Sequence, residues 1–269
     1  MSRISDNFLP EDGKAMIVAM DHGMLGVKKG FENPRETLAK VLAGKPDGIL
    51  VTPHFARTFQ EQIAATPKTK LTIRLDIMAT STLAGVEGND EIQLAFSDVE
   101  EAMSVGADAV ITLFIYGRKD KKVLLENMKY LAEISKKTHI YNIPHVMEVP
   151  FWGSEVPKDE DEQAELLNNA CRIAFELGAD IVKTPYLSNR ALFREITSNL
   201  PIPVLVLGGS KVSEYEAFSM VRSALDDGAR GLYFGRNVWQ HNNPAKMIEA
   251  FNQIIHNEVT PEEAVNILK

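Results

Sequence analysis

The sequence predicts an α/β protein folded as a single (β/α)8 barrel over residues 1–269. Three observations predict it. Short apolar, β-branched runs alternate with amphipathic helical segments from one end to the other, and eight strand–helix pairs can be counted. The helix-to-strand joints carry glycine, at Gly44-Lys-Pro-Asp-Gly48, Gly106-Ala-Asp, Gly178-Ala-Asp and Gly228-Ala-Arg-Gly231, where it can take the left-handed conformation that ends a helix. Nearly every strand also ends in a polar residue, on the rim where barrels carry their chemistry. A doubly wound open sheet is the alternative arrangement of the same alternation.

Taken in order, the strands are expected at Ala15–Met20, Gly48–Thr52, Leu71–Ile77, Ala109–Phe114, Tyr141–Val149, Asp180–Lys183, Pro203–Leu207 and Gly231–Phe234. Each is short, apolar and closed by turn-forming residues. The helices between them are expected at Pro34–Leu42, His54–Ala64, Phe96–Val105, Lys121–Lys136, Glu160–Leu177, Arg190–Asn199, Glu214–Asp227 and Pro244–Ile255. A last helix, Pro261–Leu268, starts at Thr260 with Glu263 three residues on, the spacing of a capping box. No linker, charge run or low-complexity tract divides the chain.

Composition excludes several functions. Apolar residues make up 45% and charged residues 25% of the chain, an ordinary globular balance. The net charge is −8, with 37 acidic against 29 basic residues, so neither nucleic acid nor an anionic membrane is an expected partner. The one cysteine, Cys171, falls inside a helical pattern and is expected to pack there. Met1-Ser-Arg-Ile-Ser-Asp-Asn-Phe lacks the apolar core of a signal peptide, and no run is long enough to span a bilayer. A cytoplasmic location is expected.

The stretch Gly178-Ala-Asp-Ile-Val-Lys183-Thr-Pro-Tyr186 is the centre of the functional reading. It places a lysine at the end of an apolar strand. A lysine taken out of water loses stabilisation of its charged form, and the neutral amine attacks carbonyls. A lysine snorkelling from a strand end to solvent is the plainer alternative. The other strand ends offer Asp21-His22-Gly23, Thr52-Pro-His54, Arg74-Leu-Asp76, Tyr116-Gly-Arg118, His145 with Glu148, Gly208-Gly-Ser210 and Gly235-Arg236-Asn237. The last two follow the seventh and eighth strands, where barrels commonly bind phosphate. There Gly208, Gly209, Ser210 and Gly235 would let N–H groups approach an anion, and Arg236 would add charge. Two tight turns that simply need glycine would look the same. Asp21 suits proton transfer near an imine, or the capping of a turn. His22 suits either direct proton transfer or a supporting hydrogen bond. In a straight fifth strand His145 and Glu148 face opposite ways, and Glu148, at the very end, is the better candidate for an acid or base. His22, His54, His145, Asp21 and Asp76 are the residues a divalent metal would require, but no short-range ligand spacing supports one.

Together, Asp21-His22-Gly23, Lys183-Thr-Pro-Tyr186, Gly208-Gly209 and Gly235-Arg236-Asn-Val-Trp-Gln240 resemble the class I aldolase family that groups deoxyribose-phosphate aldolase with archaeal-type fructose-bisphosphate aldolase. The resemblance runs through nearly the whole chain, most closely to the archaeal-type aldolases and the aminodideoxyheptulosonate synthases. It implies a TIM barrel with Lys183 as Schiff-base lysine and Asp21 as the acid of the first strand. It also implies a phosphate cradle of Gly208, Gly209, Gly235 and Arg236, no metal or other cofactor, and a homo-oligomer. One position departs. Where those enzymes carry a tyrosine followed by Pro-Arg-Gly, this chain has Met147-Glu-Val-Pro-Phe-Trp-Gly153. Glu148 there resembles the glutamate of tagatose-bisphosphate-type aldolases, and Tyr116 and Tyr186 are the phenols left to replace the tyrosine.

The expected activity is therefore cleavage or formation of a C–C bond in a phosphorylated ketose, with release of dihydroxyacetone phosphate and with Lys183, Asp21, Glu148, His22 and Tyr186 at the reacting centre. The same scaffold could pass its enamine to another carbonyl, perform a thiolase-type transfer as in a related autoinducer-processing branch, or bind a sugar phosphate without turnover. A metal-dependent barrel lyase is a further alternative.

Overall fold

Ten strands are formed by residues 8–78 and 93–269, the part of the chain that the computed structural model describes. They are Ala15–Ala19 (β1), Gly48–Val51 (β2), Lys70–Arg74 (β3), Asp76–Met78 (β4), Gln93–Ala95 (β5), Ala109–Leu113 (β6), His145–Glu148 (β7), Ile181–Thr184 (β8), Val204–Leu207 (β9) and Gly231–Phe234 (β10). Eight of them close into a parallel barrel in the order β1-β10-β9-β8-β7-β6-β3-β2, and β4 and β5 form a separate antiparallel hairpin. The fold is a (β/α)8 barrel, not an open sheet.

Closure is made at Gly231, where β10 meets β1 in the register Ala15 to Gly231. Its φ is +119°, and an added Cβ would overlap the Ala15 carbonyl, so only glycine lets the last strand lie against the first. The aspartates at the joints set the other registers. Asp47, Asp108 and Asp180 each precede a strand and accept a hydrogen bond from the first amides of a neighbour: Met16 N at 2.7 Å, Leu71 N at 2.8 Å and His145 N at 2.9 Å. In a strand pair of four or five residues, one such side-chain bond fixes which residues face inward.

The inward set includes Ala15, Ile17, Ala19, Leu50, Ala109, Ile111, Val146, Ile181, Leu205 and Tyr233, all buried in one cluster. Outward residues such as Met16, Val18, Ile49, Val51, Val182 and Val206 join the larger core beneath the helices. Cys171 is fully buried in that shell.

Two expected strands are corrected. The run Leu71–Ile77 breaks after Arg74, because the Asp76 carboxylate takes the Leu113 amide at 2.9 Å in place of a backbone carbonyl, and the chain turns out into the hairpin. The run Tyr141–Val149 starts later, at His145. The helix Lys121–Tyr141 extends to its end, and Asn142 caps it in the left-handed conformation at φ 54°. The expected loop after Met78 falls, from residue 79 on, outside the described residues. No helix of the described residues is long and apolar enough to cross a membrane.

The barrel's far end carries a pH-dependent tie. His256, on the helix Pro244–Asn257, lies 2.9 Å from the same Asp47 oxygen that holds Met16 N, and 2.7 Å from Asp12. The Asp47 hydrogen bond, outweighing burial, pushes the imidazole up to about 8. A raised pKa stabilises the fold fully below the ordinary histidine value of about 6.5, and the contribution fades as the pH rises through about 8. His256→Gln should therefore cost about 1 kcal/mol at pH 6 and almost nothing at pH 9.5, read as denaturation midpoints at both pH values.

Candidate active site

Strand parity brings four charged side chains into the barrel mouth. Lys183 follows Ile181 on the inward face of β8, Glu148 follows Val146 on β7, and these two are paired in register. Arg74 ends β3, and Asp21 begins the 3-10 turn Asp21–Leu25 after β1. All four are more than nine-tenths buried, at 4, 6, 3 and 6% exposure.

The Lys183 ammonium nitrogen lies 2.8 Å from Glu148 Oε1 and 5.4 Å above the ring of Tyr233, which forms the floor. Arg74 Nη2 donates to the other Glu148 oxygen, and its Nε donates to Asp21 Oδ2 at 2.9 Å. One guanidinium thus holds both carboxylates, in the two-pronged way that only arginine allows. His22 Nδ1 is 3.3 Å from Asp21 Oδ1, and its ring stands edge-on to Trp239 at 5.4 Å.

Charge balance sets the protonation states. Burial alone would raise Glu148, but Lys183 and Arg74 outweigh it and hold the carboxyl below its usual range. Burial also opposes ionisation of Asp21, yet Arg74, His22 and Lys183 hold it well below the ordinary value. Both are carboxylates at neutral pH. Asp76 behaves differently. Burial pushes it up to about 7, outweighing Arg74 Nη1 at 3.8 Å, the Leu113 amide and Gln93 Nε2, which all favour the carboxylate.

The lysine lines a chamber of about 650 Å3 that Gly208, Gly209, Gly235 and Arg236 also line. Gly208 N–H is taken by the Tyr233 carbonyl at 3.1 Å, whereas the amides of Gly209 and Ser210 have no protein acceptor among the described residues. Arg236 Nη1 donates to Ser210 Oγ at 3.4 Å, which draws the two turns together. At Gly235 an added Cβ would meet His22 Cε1 at 2.7 Å, so the second turn needs glycine to approach the first strand's loop. Trp239 Nε1 donates to the Ala19 carbonyl at 3.0 Å and ties this corner to the end of β1.

Several expected residues stand elsewhere. Tyr186 stands apart from the chamber: its hydroxyl donates to Asp227 at 2.6 Å, beside Arg190, and it is not among the residues lining the lysine's chamber. Burial and that carboxylate push its phenol up to about 12, a poor proton relay at neutral pH. Tyr116 packs against Phe114 instead of lining the chamber. His145 faces outward, bridging Thr112 Oγ1 at 2.8 Å and Ser135 Oγ at 2.9 Å. Among the described residues no three His, Cys, Asp or Glu side chains gather as a metal site would need.

Two residues of the site carry no role in the sequence reading: Arg74, noted only as a rim residue, and Tyr233. The signal for Arg74 was parity, since Thr72 and Arg74 share the inward face of β3, while the carboxylates it meets come from β7 and from the turn after β1, each one strand further round the barrel. For Tyr233 it was a large side chain at an inward position, two residues before the Gly235 turn.

The chain is similar to known proteins over nearly its whole length. The chain is 34% identical to an uncharacterized aldolase of Saccharolobus solfataricus, over 96% of both proteins. It is 32% identical to 2-amino-3,7-dideoxy-D-threo-hept-6-ulosonate synthase 1 of Archaeoglobus fulgidus, over 98% of this chain and 93% of that one. Among solved structures it matches a Schiff-base-forming fructose-1,6-bisphosphate aldolase at TM-score 0.80 and 25% identity, over 94% of this chain and 98% of that one. Residues 15–241 match the model of the DeoC/LacD family aldolases, and with the barrel closed around a buried lysine the chain belongs to that family.

Proposed function

We propose that the protein is a class I aldolase that makes or breaks a C–C bond in a phosphorylated ketose through an imine on Lys183. The observation that carries this is the buried contact of Lys183 Nζ with Glu148 Oε1 at 2.8 Å, in one chamber with the Gly208–Gly209 and Gly235–Arg236 turns.

The amine attacks only after losing its proton, and Glu148 Oε1 is the acceptor within reach. Nζ then adds to the ketone carbon, and Glu148 returns its proton to the carbinolamine hydroxyl, which leaves as water to give the iminium and a Glu148 carboxylate once more. Glu148, held ionised by Arg74, takes the proton of the C4 hydroxyl. The C3–C4 electron pair moves into the iminium, the aldehyde leaves, and an enamine remains. Protonation at C3 and hydrolysis by one water free the ketone product, dihydroxyacetone phosphate, and restore the amine. Asp21, held by Arg74 and lining the same chamber as the lysine, moves protons between carbinolamine and iminium. Gly209, Ser210 and Arg236 hold the phosphate, so binding energy from a non-reacting group orients the reacting one.

Arg236→Ala should raise KM for the phosphorylated substrate about tenfold or more while changing kcat far less, because the guanidinium touches only the non-reacting end. Steady-state kinetics across a phosphate-bearing and a phosphate-free donor tests this, and the phosphate-free donor should show little change.

A second reading has a specific support, the 32% identity to a heptulosonate synthase. In it the same enamine is passed to another carbonyl compound instead of being protonated. Supplying acceptor aldehydes and following product masses separates the two.

A further inference from the structure

We infer that a second cavity beside the lysine chamber receives an apolar, uncharged aldehyde, so that the compound made or cleaved carries an aromatic or branched aliphatic end in place of a second phosphate. The inference rests on the Schiff-base reading above and names its aldehyde half.

The cavity measures about 880 Å3 and lies between the loop after β1, the helix Pro53–Thr58 and the β4–β5 hairpin. It shares Asp21, Met24 and Ile77 with the lysine chamber. A row of aromatic rings joins the two. Trp239, in the lysine chamber, faces Phe31 at 5.6 Å; Phe31 faces Phe55 at 6.2 Å, and Phe55 faces Phe59 at 4.7 Å. Ile77, Leu94 and Phe96 of the hairpin segment form the opposite wall. Leu94 and Phe96 are 55% and 38% exposed, and Val27 at the mouth is 82% exposed. Apolar surface left in water beside a reacting centre is stabilised when an apolar ligand covers it.

Charge argues the same way. Among the described residues the walls contain no lysine or arginine, while Asp21, Glu32 and Glu101 all line them. Arg57, on the adjoining helix, is paired with Glu101 at 3.5 Å. A phosphorylated aldehyde would meet three carboxylates among the described wall residues, and Arg35, stacked over the Phe59 ring at 5.1 Å, is not among the residues that line the cavity. A phenyl or isobutyl group would meet rings and methyls.

In the bond-forming direction, Lys183 and the donor ketone lose water to form the iminium, and Glu148 removes the proton from the adjacent carbon. The resulting enamine carbon joins the aldehyde carbon. The aldehyde oxygen takes its proton back from Glu148, and one water hydrolyses the iminium. Only the substituent on the aldehyde reaches the second cavity.

The test supplies the full-length protein with dihydroxyacetone phosphate and either phenylacetaldehyde or glyceraldehyde 3-phosphate, and follows both products by mass. The expected kcat/KM is at least about tenfold higher for phenylacetaldehyde. Leu94→Lys, at an exposed position, should lower that ratio by about tenfold or more by placing a cation in the wall. Binding of 2-phenylethanol, which cannot react, reads the cavity alone by calorimetry. It should bind the wild type and Lys183→Ala alike, and Leu94→Lys at least about fivefold more weakly. If borohydride traps no donor adduct while 2-phenylethanol still binds in this pattern, the Schiff-base reading fails and the apolar site stands. A preference for glyceraldehyde 3-phosphate, or 2-phenylethanol bound equally by Leu94→Lys, overturns the inference. So does sedimentation showing that Leu94→Lys dissociates an oligomer of a chain that binds no 2-phenylethanol, since this face would then meet a second copy.

Discussion

Lys183→Ala is expected to lower kcat/KM for the phosphorylated ketose by about 100,000-fold or more, with no detectable adduct. A covalent nucleophile has no substitute within the chamber, and groups acting as one unit fail together when it is removed. The loss should not come from unfolding. Glu148 keeps its hydrogen bond from Arg74 when the lysine is gone, so no buried carboxylate is left without a partner. A thermal midpoint within a few degrees of wild type, with substrate turnover abolished, is the paired result that separates chemistry from folding. Retention of even one-tenth of the wild-type rate would remove Lys183 from the mechanism.

Arg74→Gln should produce the second-largest effect, and on two observables. Arg74 holds Asp21 and Glu148 directly and stands 3.8 Å from Asp76. Without it three buried acidic groups share one remaining cation, and breaking a buried pair of this kind costs about 3–5 kcal/mol. A merely structural role would stop there. The positioning role adds a signature in the pH profile. Glu148 is held below its usual range by Lys183 and Arg74 together, so the acid limb of kcat lies below the ordinary carboxylate value in the wild type. Removing one cation moves that limb to higher pH, because the carboxylate now protonates more easily. Arg74→Lys should restore much of the charge but not the fork that reaches Asp21 and Glu148 at once. Its acid limb should therefore fall between those of wild type and Arg74→Gln, with kcat still depressed. Chemical denaturation and pH–rate profiles on the same three proteins test both halves.

The eight-fold alternation was legible because each strand is bounded by a joint with a local physical meaning. Gly231 matched its predicted strand start because only glycine fits against Ala15, and Arg190–Asn199 was bounded by its own cap at Asn189. The breaks were less legible because side chains decided them from a distance. Asp76 ends β3 by taking an amide of β6, a contact 37 residues away that no local pattern records. Asn142 gave a local signal, a residue tolerant of the left-handed conformation, but it stood in a β-branched run.

The site divided in the same way. Parity alone separated Glu148 from His145, since three residues along a straight strand reverse the face. Lys183 needed only its place at the end of a buried run. Arg74 was visible as a rim residue, but its hold on two carboxylates depends on β1, β3 and β7 meeting at the mouth, which closure of the barrel brings about. The placement of Tyr186 away from the chamber was not legible because its partner, Asp227, lies 41 residues on. A tyrosine three residues past the lysine can point to either side of the strand end.

The most direct measurement is reduction by borohydride in the presence of dihydroxyacetone phosphate, read by intact mass and peptide mapping. A Schiff base on Lys183 predicts one stoichiometric mass increase equal to the reduced donor, located on the peptide that contains Lys183 and absent from Lys183→Ala. Catalytic turnover of the donor with no trapped adduct, or an adduct on another lysine, would contradict it.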